Sequence, residues 1–95
     1  MHVVSRKAIR LFAESHPDAR VPLDRWYRVA RRAAWRSFAD VKLSFNTADF
    51  VASRVVFDIG GNKVRLVAEI NFRKRVLFIR DILTHKEYEK GAWKR

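Results

Sequence analysis

Residues 54–83 read RVVFDIGGNKVRLVAEINFRKRVLFIRDIL, and along this stretch β-branched and aromatic residues alternate with charged ones. A period of two is the pattern of a half-buried strand. The stretch divides into β-rich runs at about 54–59, 62–72 and 75–83, separated by Gly60-Gly61 and by Arg73-Lys74. Runs punctuated in this way form an antiparallel meander. With two-residue turns, Asp58 opposes Lys63, Val56 opposes Arg65 and Arg54 opposes Val67; in the second hairpin Arg65 opposes Ile82 and Val67 opposes Arg80. This register sorts the residues by polarity. One face carries Val55, Phe57, Ile59, Val64, Leu66, Ala68, Ile70, Leu77 and Ile79, with Asp81 as the exception. The other carries Arg54, Asp58, Lys63, Arg65, Glu69 and Arg80 among Val56, Val67, Phe78 and Ile82. A slip of one residue in either hairpin would mix the two sets.

Upstream, the period changes. Residues 2–4 suit a short strand, and Ser5 suits the N-cap of a helix running to about Ser15, where a hydroxyl satisfies an orphan amide. Ile9, Phe12 and Ala13, with Ala8 and Leu11 alongside, form its apolar stripe. Pro17 disfavours helical geometry at His16, while Pro22 suits the first turn of a second helix with Asp24 near its N-terminus. Leu23, Trp26, Tyr27, Ala30 and Ala33 or Ala34 recur at helical spacing, and Arg25, Arg28, Arg32 and Arg36 line another face. Such a charged face is either simply solvated or a surface for nucleic acid or a partner. In 37–53, Val41, Leu43 and Phe45 alternate like a strand while Asn46-Thr47-Ala48-Asp49 reads as a turn, so the segment is expected to be mostly irregular. The expected fold is α+β, with two N-terminal helices packed on one face of a small antiparallel sheet.

Composition bounds the function. Ninety-five residues suit one domain spanning 1–95. The 21 Lys and Arg against 10 Asp and Glu give a net charge of +11, yet 48% of the residues are hydrophobic, so the chain folds rather than forming a basic tail. The excess is spread along the chain, nine basic and four acidic residues in 1–40 and twelve and six in 41–95. A fold surface this basic favours polyanions. The absence of cysteine removes disulfides, thiol catalysis and cysteine-based zinc sites and fits a reducing cytosol. No apolar run approaches a membrane span, and the start lacks the apolar stretch of a signal peptide and reads as mature sequence.

Antiparallel pairing brings the end of the third run beside the start of the second, so Thr84-His85-Lys86-Glu87-Tyr88 is expected near Lys63 and Arg65. A histidine exchanges protons near neutral pH, Arg65 and Lys86 suit a phosphate, and Tyr88 suits stacking on a base or supplying a hydroxyl. RNA cleavage by the 2′-hydroxyl needs a base, cations for the charge on pentavalent phosphorus and an acid for the leaving oxygen. Each residue also has a plainer role: Arg80 pairs with its diagonal neighbour Glu69, and His85 sits near the end of the chain as a surface group. His2 and His16 have no converging partners. No His/Asp/Glu spacing suggests a metal, and there is no phosphate-loop or dinucleotide glycine pattern and no Ser-His-Asp motif.

Three separated segments carry a family resemblance. MHVVSRKA at 1–8, RVVFDIGGNKVRLV at 54–67 and THKEY at 84–88 resemble the HigB toxins, within the RelE/ParE-like superfamily of type II toxin–antitoxin systems. The resemblance spans nearly the whole chain. It implies a RelE-like microbial RNase fold, a cytoplasmic mRNA interferase that cuts mRNA during translation on the ribosome, no cofactor and no metal, and neutralisation by a helix-turn-helix antitoxin of HigA type. Carried over by position, it implies His85 as general base or acid, Arg65 and Lys86 on the scissile phosphate and Tyr88 orienting or stacking on the nucleotide, with Arg54, Lys63 and Arg80 as further RNA contacts. The competing readings are a basic binding domain without chemistry and a ParE-like toxin directed at DNA gyrase on the same scaffold.

Overall fold

The computed structural model describes residues 1–61 and 63–94. In chain order these form β1 (His2–Val4), α1 (Arg6–Ser15), a 3₁₀ turn (Pro17–Ala19), α2 (Arg20–Arg32), α3 (Phe38–Ser44), β2 (Asp49–Val51), β3 (Arg54–Ile59), β4 (Val64–Asn71), β5 (Val76–Thr84) and α4 (His85–Glu89). The α+β class and the three-strand meander stand as read from the sequence. The sheet is not purely antiparallel: it has five strands in the order β1-β5-β4-β3-β2, and β1 runs parallel to β5, pairing Val3 with Leu77. A parallel neighbour needs a long crossover, and here everything from α1 to β4 lies between the paired strands.

The core lies between the sheet and the helices. Leu23, Trp26 and Ala30 of α2 are buried, as the helical spacing requires, and Tyr27 is half-buried. They meet Phe57 of β3, which is 1% exposed and collects three aromatic neighbours: Trp26 at 5.2 Å and Phe45 at 5.3 Å, both edge-on, and Trp35 stacked at 6.2 Å. Edge-on pairs of this kind add to area burial because the positive ring edge faces the negative ring face. In α1, Ile9 is buried and Phe12 and Ala13 are half-buried, but Leu11 points to solvent. Ser5 holds the N-cap position with extended backbone, yet its side chain makes no capping bond. His16, expected at the surface without partners, is half-buried and stacks on Phe12 at 4.1 Å.

The segment expected to be irregular holds α3 and β2. The apparent alternation of Val41, Leu43 and Phe45 is accidental, since Leu43 is exposed while Phe38 and Val41, three residues apart, face the core. The Asp40 carboxylate accepts from the Arg36 amide at 2.8 Å, and Trp35 Nε1 donates to Ser44 Oγ at 3.0 Å, pinning both ends of this short helix. A hairpin then joins β2 to β3 through Ala52 and Ser53, both at positive φ (52° and 64°). Two such residues make a type I′ turn, ordinarily signalled by Asn-Gly; the side chains here gave no such signal.

Two register corrections position the site. In the first hairpin Asp58 pairs with Arg65 and Val56 with Val67, two places from the expected partners, because Ile59 pairs directly with Val64 and the loop is four residues long. A shift of two preserves the faces. In the second hairpin the expected register holds near the turn, with Glu69 opposite Phe78, but a bulge at Val67/Ala68 skips Arg80, so Val67 pairs with Asp81 and Arg65 with Leu83. The extra residue reverses the alternation beyond it. Ile82 joins the core opposite Leu66, and Asp81, the misfit of the regular register, leaves it.

Replacing Ala52 by Asn and Ser53 by Gly should stabilise the protein by about 0.5–1 kcal/mol, since the turn then carries residues suited to positive φ. Urea unfolding should show a higher midpoint at unchanged slope. A lower midpoint would contradict this account of the turn.

Candidate active site

The sheet face away from α1 and α2 is not wholly polar. Val56 and Val67 form a second apolar patch, closed by Trp93 from the chain end and flanked by Val51, Leu83 and Tyr88. Trp93 is 2% exposed, and its indole N–H donates to the Tyr88 carbonyl at 3.1 Å while the rings stack at 5.1 Å. Arg54 donates to the Trp93 carbonyl at 2.9 Å. The segment after β5 is thus clamped to the sheet, and α4 with it.

Capping sets where α4 begins. The Thr84 hydroxyl accepts from the Glu87 amide at 3.2 Å, and the Glu87 carboxylate accepts from the Thr84 amide at 2.9 Å, a reciprocal capping box. The Thr84 amide first, then the Thr84 hydroxyl, with His16 nearby, hold the Glu87 carboxyl below its ordinary 4.5. The box starts the helix at His85, whose amide donates to the Lys63 carbonyl at 3.2 Å. The first helical side chain is thereby delivered to the start of β4.

Arg65 is the centre of the resulting cluster. Only 8% exposed, it pairs with Asp58 across the strands (Nε to Oδ1, 2.9 Å), its Nη2 lies 3.4 Å from His85 Nδ1, and its Cζ sits 5.5 Å from the Tyr88 ring centroid. A guanidinium only donates, so the long contact makes His85 Nδ1 an acceptor. The other ring nitrogen, Nε2, lies 2.9 Å from Glu89 Oε1 one helical turn on and is set to donate to it. Both contacts are satisfied together by the tautomer that carries its hydrogen on Nε2, with the Nδ1 lone pair on the Arg65 side. Burial, and the charge of Asp49 after it, raise the Tyr88 hydroxyl above its ordinary 10.0, so the phenol keeps its proton.

The structure therefore gathers Arg65, His85 and Tyr88, and adds three residues missed in the sequence: Asp58, Glu89 and Trp93. Asp58 was placed on the right face but against the wrong partner. Glu89 had a legible signal, four residues after His85 on a helix. Lys86 is exposed and joins none of the ion pairs among the described residues. Arg54 and Arg80 form a separate cluster around Glu69, at 3.4 and 3.1 Å, so the Arg80–Glu69 pairing is present as read. Lys63 reaches toward Asp18 in the helical layer at 3.9 Å, with both side chains well exposed. A cleft of about 540 Å³ between α1 and the start of α2 lies elsewhere and mixes Arg6, Arg10 and Arg20 with Glu14 and Asp24.

Comparison with known proteins bears on what this cluster does. Residues 19–91 match the family model described as HigB_toxin, RelE-like toxic component of a toxin-antitoxin system. The mRNA interferase toxin HigB of Escherichia coli strain K12 is 29% identical over 92 residues, covering 94% of this chain and 88% of the relative. The mRNA interferase HigB of Escherichia coli O6:H1 is 30% identical over 93 residues, covering 95% and 90%.

Two outcomes are expected. Asp58→Ala should cost about 2–3 kcal/mol in urea unfolding, because it leaves a largely buried guanidinium without its closest carboxylate; a cost within about 0.5 kcal/mol would mean that the pair adds nothing. Glu87 is depressed in the folded state, so its contribution is complete above pH 4.5 and is lost as pH falls through the lower folded value. The Thr84 and Glu87 amide resonances should move together with a midpoint below 4.5, and a midpoint at or above it would contradict the capping box.

Proposed function

Because this chain belongs to the HigB family, the RelE-like toxic components of toxin–antitoxin systems, we propose that it is an endoribonuclease that cuts mRNA with its own side chains. The observation that carries this reading is Arg65, held between Asp58, His85 and Tyr88 on the sheet face away from α1 and α2. Relatives named mRNA interferases match nearly the whole chain. In this reading residues 1–95 are one toxin domain with the RelE-like arrangement.

The proposed steps use this cluster. The scissile phosphate displaces part of the Arg65 contact to His85 and takes the guanidinium for itself, with Lys86 adding a second positive charge. His85 Nδ1 accepts the proton of the 2′-hydroxyl, and the imidazolium so formed is stabilised by Glu89. The O2′–P bond forms and the P–O5′ bond breaks. Tyr88, whose phenol stays protonated, supplies the proton to the leaving 5′-oxygen. With Trp93 on its ring and Arg65 over it, Tyr88 offers its hydroxyl more readily than a free face for a base. The products are a 2′,3′-cyclic phosphate and a 5′-hydroxyl, with no metal or cofactor required. Arg54, Lys63 and Arg80 contact the RNA beyond the cut. The setting is the cytoplasm, the substrate is mRNA under translation on the ribosome, and the antitoxin is of HigA type.

His85→Ala and Arg65→Ala should each lower mRNA cleavage by at least about 100-fold, as removal of a general base or of a group on the charged phosphate does, and should relieve growth inhibition. New 5′ ends should appear in cellular mRNA on induction of the wild type. Full cleavage by either folded variant removes that residue from the mechanism. Intact transcripts with impaired supercoiling would instead favour a gyrase-directed toxin, and intact transcripts with neither effect a simple binder.

A further inference from the structure

The row of side chains that crosses the sheet beneath Trp93 ends in a carboxylate on each side. Pairing runs from Asp49 to Val56, from Val56 to Val67 and from Val67 to Asp81, and directly opposed residues share a face. Val56 and Val67 pack under Trp93, joined by Val51 two residues along β2 from Asp49, so Asp49 and Asp81 stand on the face that carries Arg65. The other carboxylates around the site are engaged: Asp58 with Arg65, Glu69 with Arg54 and Arg80, Glu89 with His85 and Glu87 in the capping box. Asp49 and Asp81 join no ion pair among the described residues. The two are not equivalent. Three strand spacings, about 14 Å, separate them; Asp81 is half-buried, whereas Asp49 is exposed on the edge strand. Burial raises the Tyr88 hydroxyl most and Asp49 next, Asp58 adds to this, and Asp81 has no part in it. The hydroxyl therefore sits on the Asp49 side of the row.

We propose that Asp49 reads the base of the nucleotide on the 3′ side of the cut and favours guanine there. A carboxylate facing an RNA-binding surface without a cation of its own repels phosphate, so its favourable partner in bound RNA is a base edge. Carboxylates only accept. Guanine presents two parallel donors on its Watson–Crick edge, N1–H and the N2 amino group, which match the two carboxylate oxygens. Cytosine and adenine present one amino group beside an acceptor nitrogen, and uracil one N–H between two carbonyls. Single-stranded RNA is read on this edge, and a two-bond match fixes orientation as well as affinity. Position assigns the nucleotide. Tyr88 is the proposed donor to the leaving 5′-oxygen, which belongs to the nucleotide 3′ of the cut, and Asp49 is the unpaired carboxylate on the side of that hydroxyl. It lies one strand over and two residues along from Asp58, about 8 Å by strand geometry. Proton transfer does not call on it, since His85 and Tyr88 fill both roles in the proposed chemistry.

The placement of the nucleotide rests on the endoribonuclease reading, and two readouts keep the two failures apart. The probes are short labelled oligouridines with guanine, inosine, adenine or uracil at one central position. Cleavage is followed on the unmodified RNAs, and binding by fluorescence anisotropy on 2′-O-methylated copies, which cannot be cut. The wild type should prefer guanine to uracil by at least about 10-fold in both, the scale of a bidentate base contact, and should leave the new 5′-hydroxyl on the guanosine. Inosine, which lacks the N2 amino group, should fall between them. Asp49→Ala should abolish the preference by losing on guanine alone. Asp49→Asn, of the same shape, should move it toward adenine, whose amino group and N1 match an amide, while Asp81→Asn should keep the wild-type order. A guanine preference in binding that Asp49→Ala removes, with no RNA cut, would overturn the endoribonuclease reading and leave base recognition by Asp49 standing. Equal handling of the four RNAs by the wild type, or a preference that survives Asp49→Ala, would overturn the proposal whether or not RNA is cut. So would uniform tightening of all four by Asp49→Ala, which would make Asp49 a repulsive surface charge only.

Discussion

A guanidinium withdrawn from water is the constraint around which this molecule is arranged. Arg65 stands in the middle strand of the sheet with hydrophobic residues on both sides in sequence, so its side chain must leave through the face away from the main core. There it is nearly enclosed, and a charge in that setting is tolerable only when neighbouring groups accept its hydrogens or screen it. Asp58 meets it from β3, His85 from the first turn of α4 and Tyr88 from the next. These contacts attach the last helix to the sheet and collect the ionisable groups that the proposed chemistry uses. Fold stability and site geometry thus draw on the same contacts, so a change at Arg65 is felt in both.

Much of this was legible because strand patterning and residue chemistry agree. The alternation through 54–71 identified β3 and β4 and assigned Arg65 and Asp58 to one face, and the exact loop length did not matter because the error was an even number of residues. Leu23, Trp26 and Ala30 identified α2 by the same logic at helical period. Antiparallel pairing placed the THKEY segment beside Arg65, while its capping box, with Thr84 and Glu87 three residues apart, went unread.

What escaped has physical reasons. A bulge adds one residue without any marker of its own, and Arg80, the residue skipped, resembles any exposed strand arginine. Asp81 was the trace it left, a carboxylate on an apolar face in the regular register. Ala52 and Ser53 adopt positive φ without glycine or asparagine, so the β2–β3 hairpin was invisible to turn chemistry. The α3 segment mimicked a strand because an exposed leucine fell between two inward residues. Trp93 lies beyond every periodic element, and only tertiary structure reveals that it packs on Val56 and Val67. The parallel pairing of β1 was equally unreadable, since three residues carry no information about which edge they join.

That pairing has a consequence for how the chain assembles. The first strand adds to the last one, so the sheet closes only after β5 has been made, and the tryptophan that clamps α4 follows later still. Helices α1 and α2 emerge with their apolar stripes facing nothing. At about 5–20 residues per second, synthesis from Ile59 to Trp93 takes on the order of seconds. Throughout that interval the nascent polypeptide holds Asp58 but not the assembled cluster. The Arg65 cluster is therefore completed in a single late step, once Tyr88 and the clamping Trp93 have been made, instead of growing with chain length.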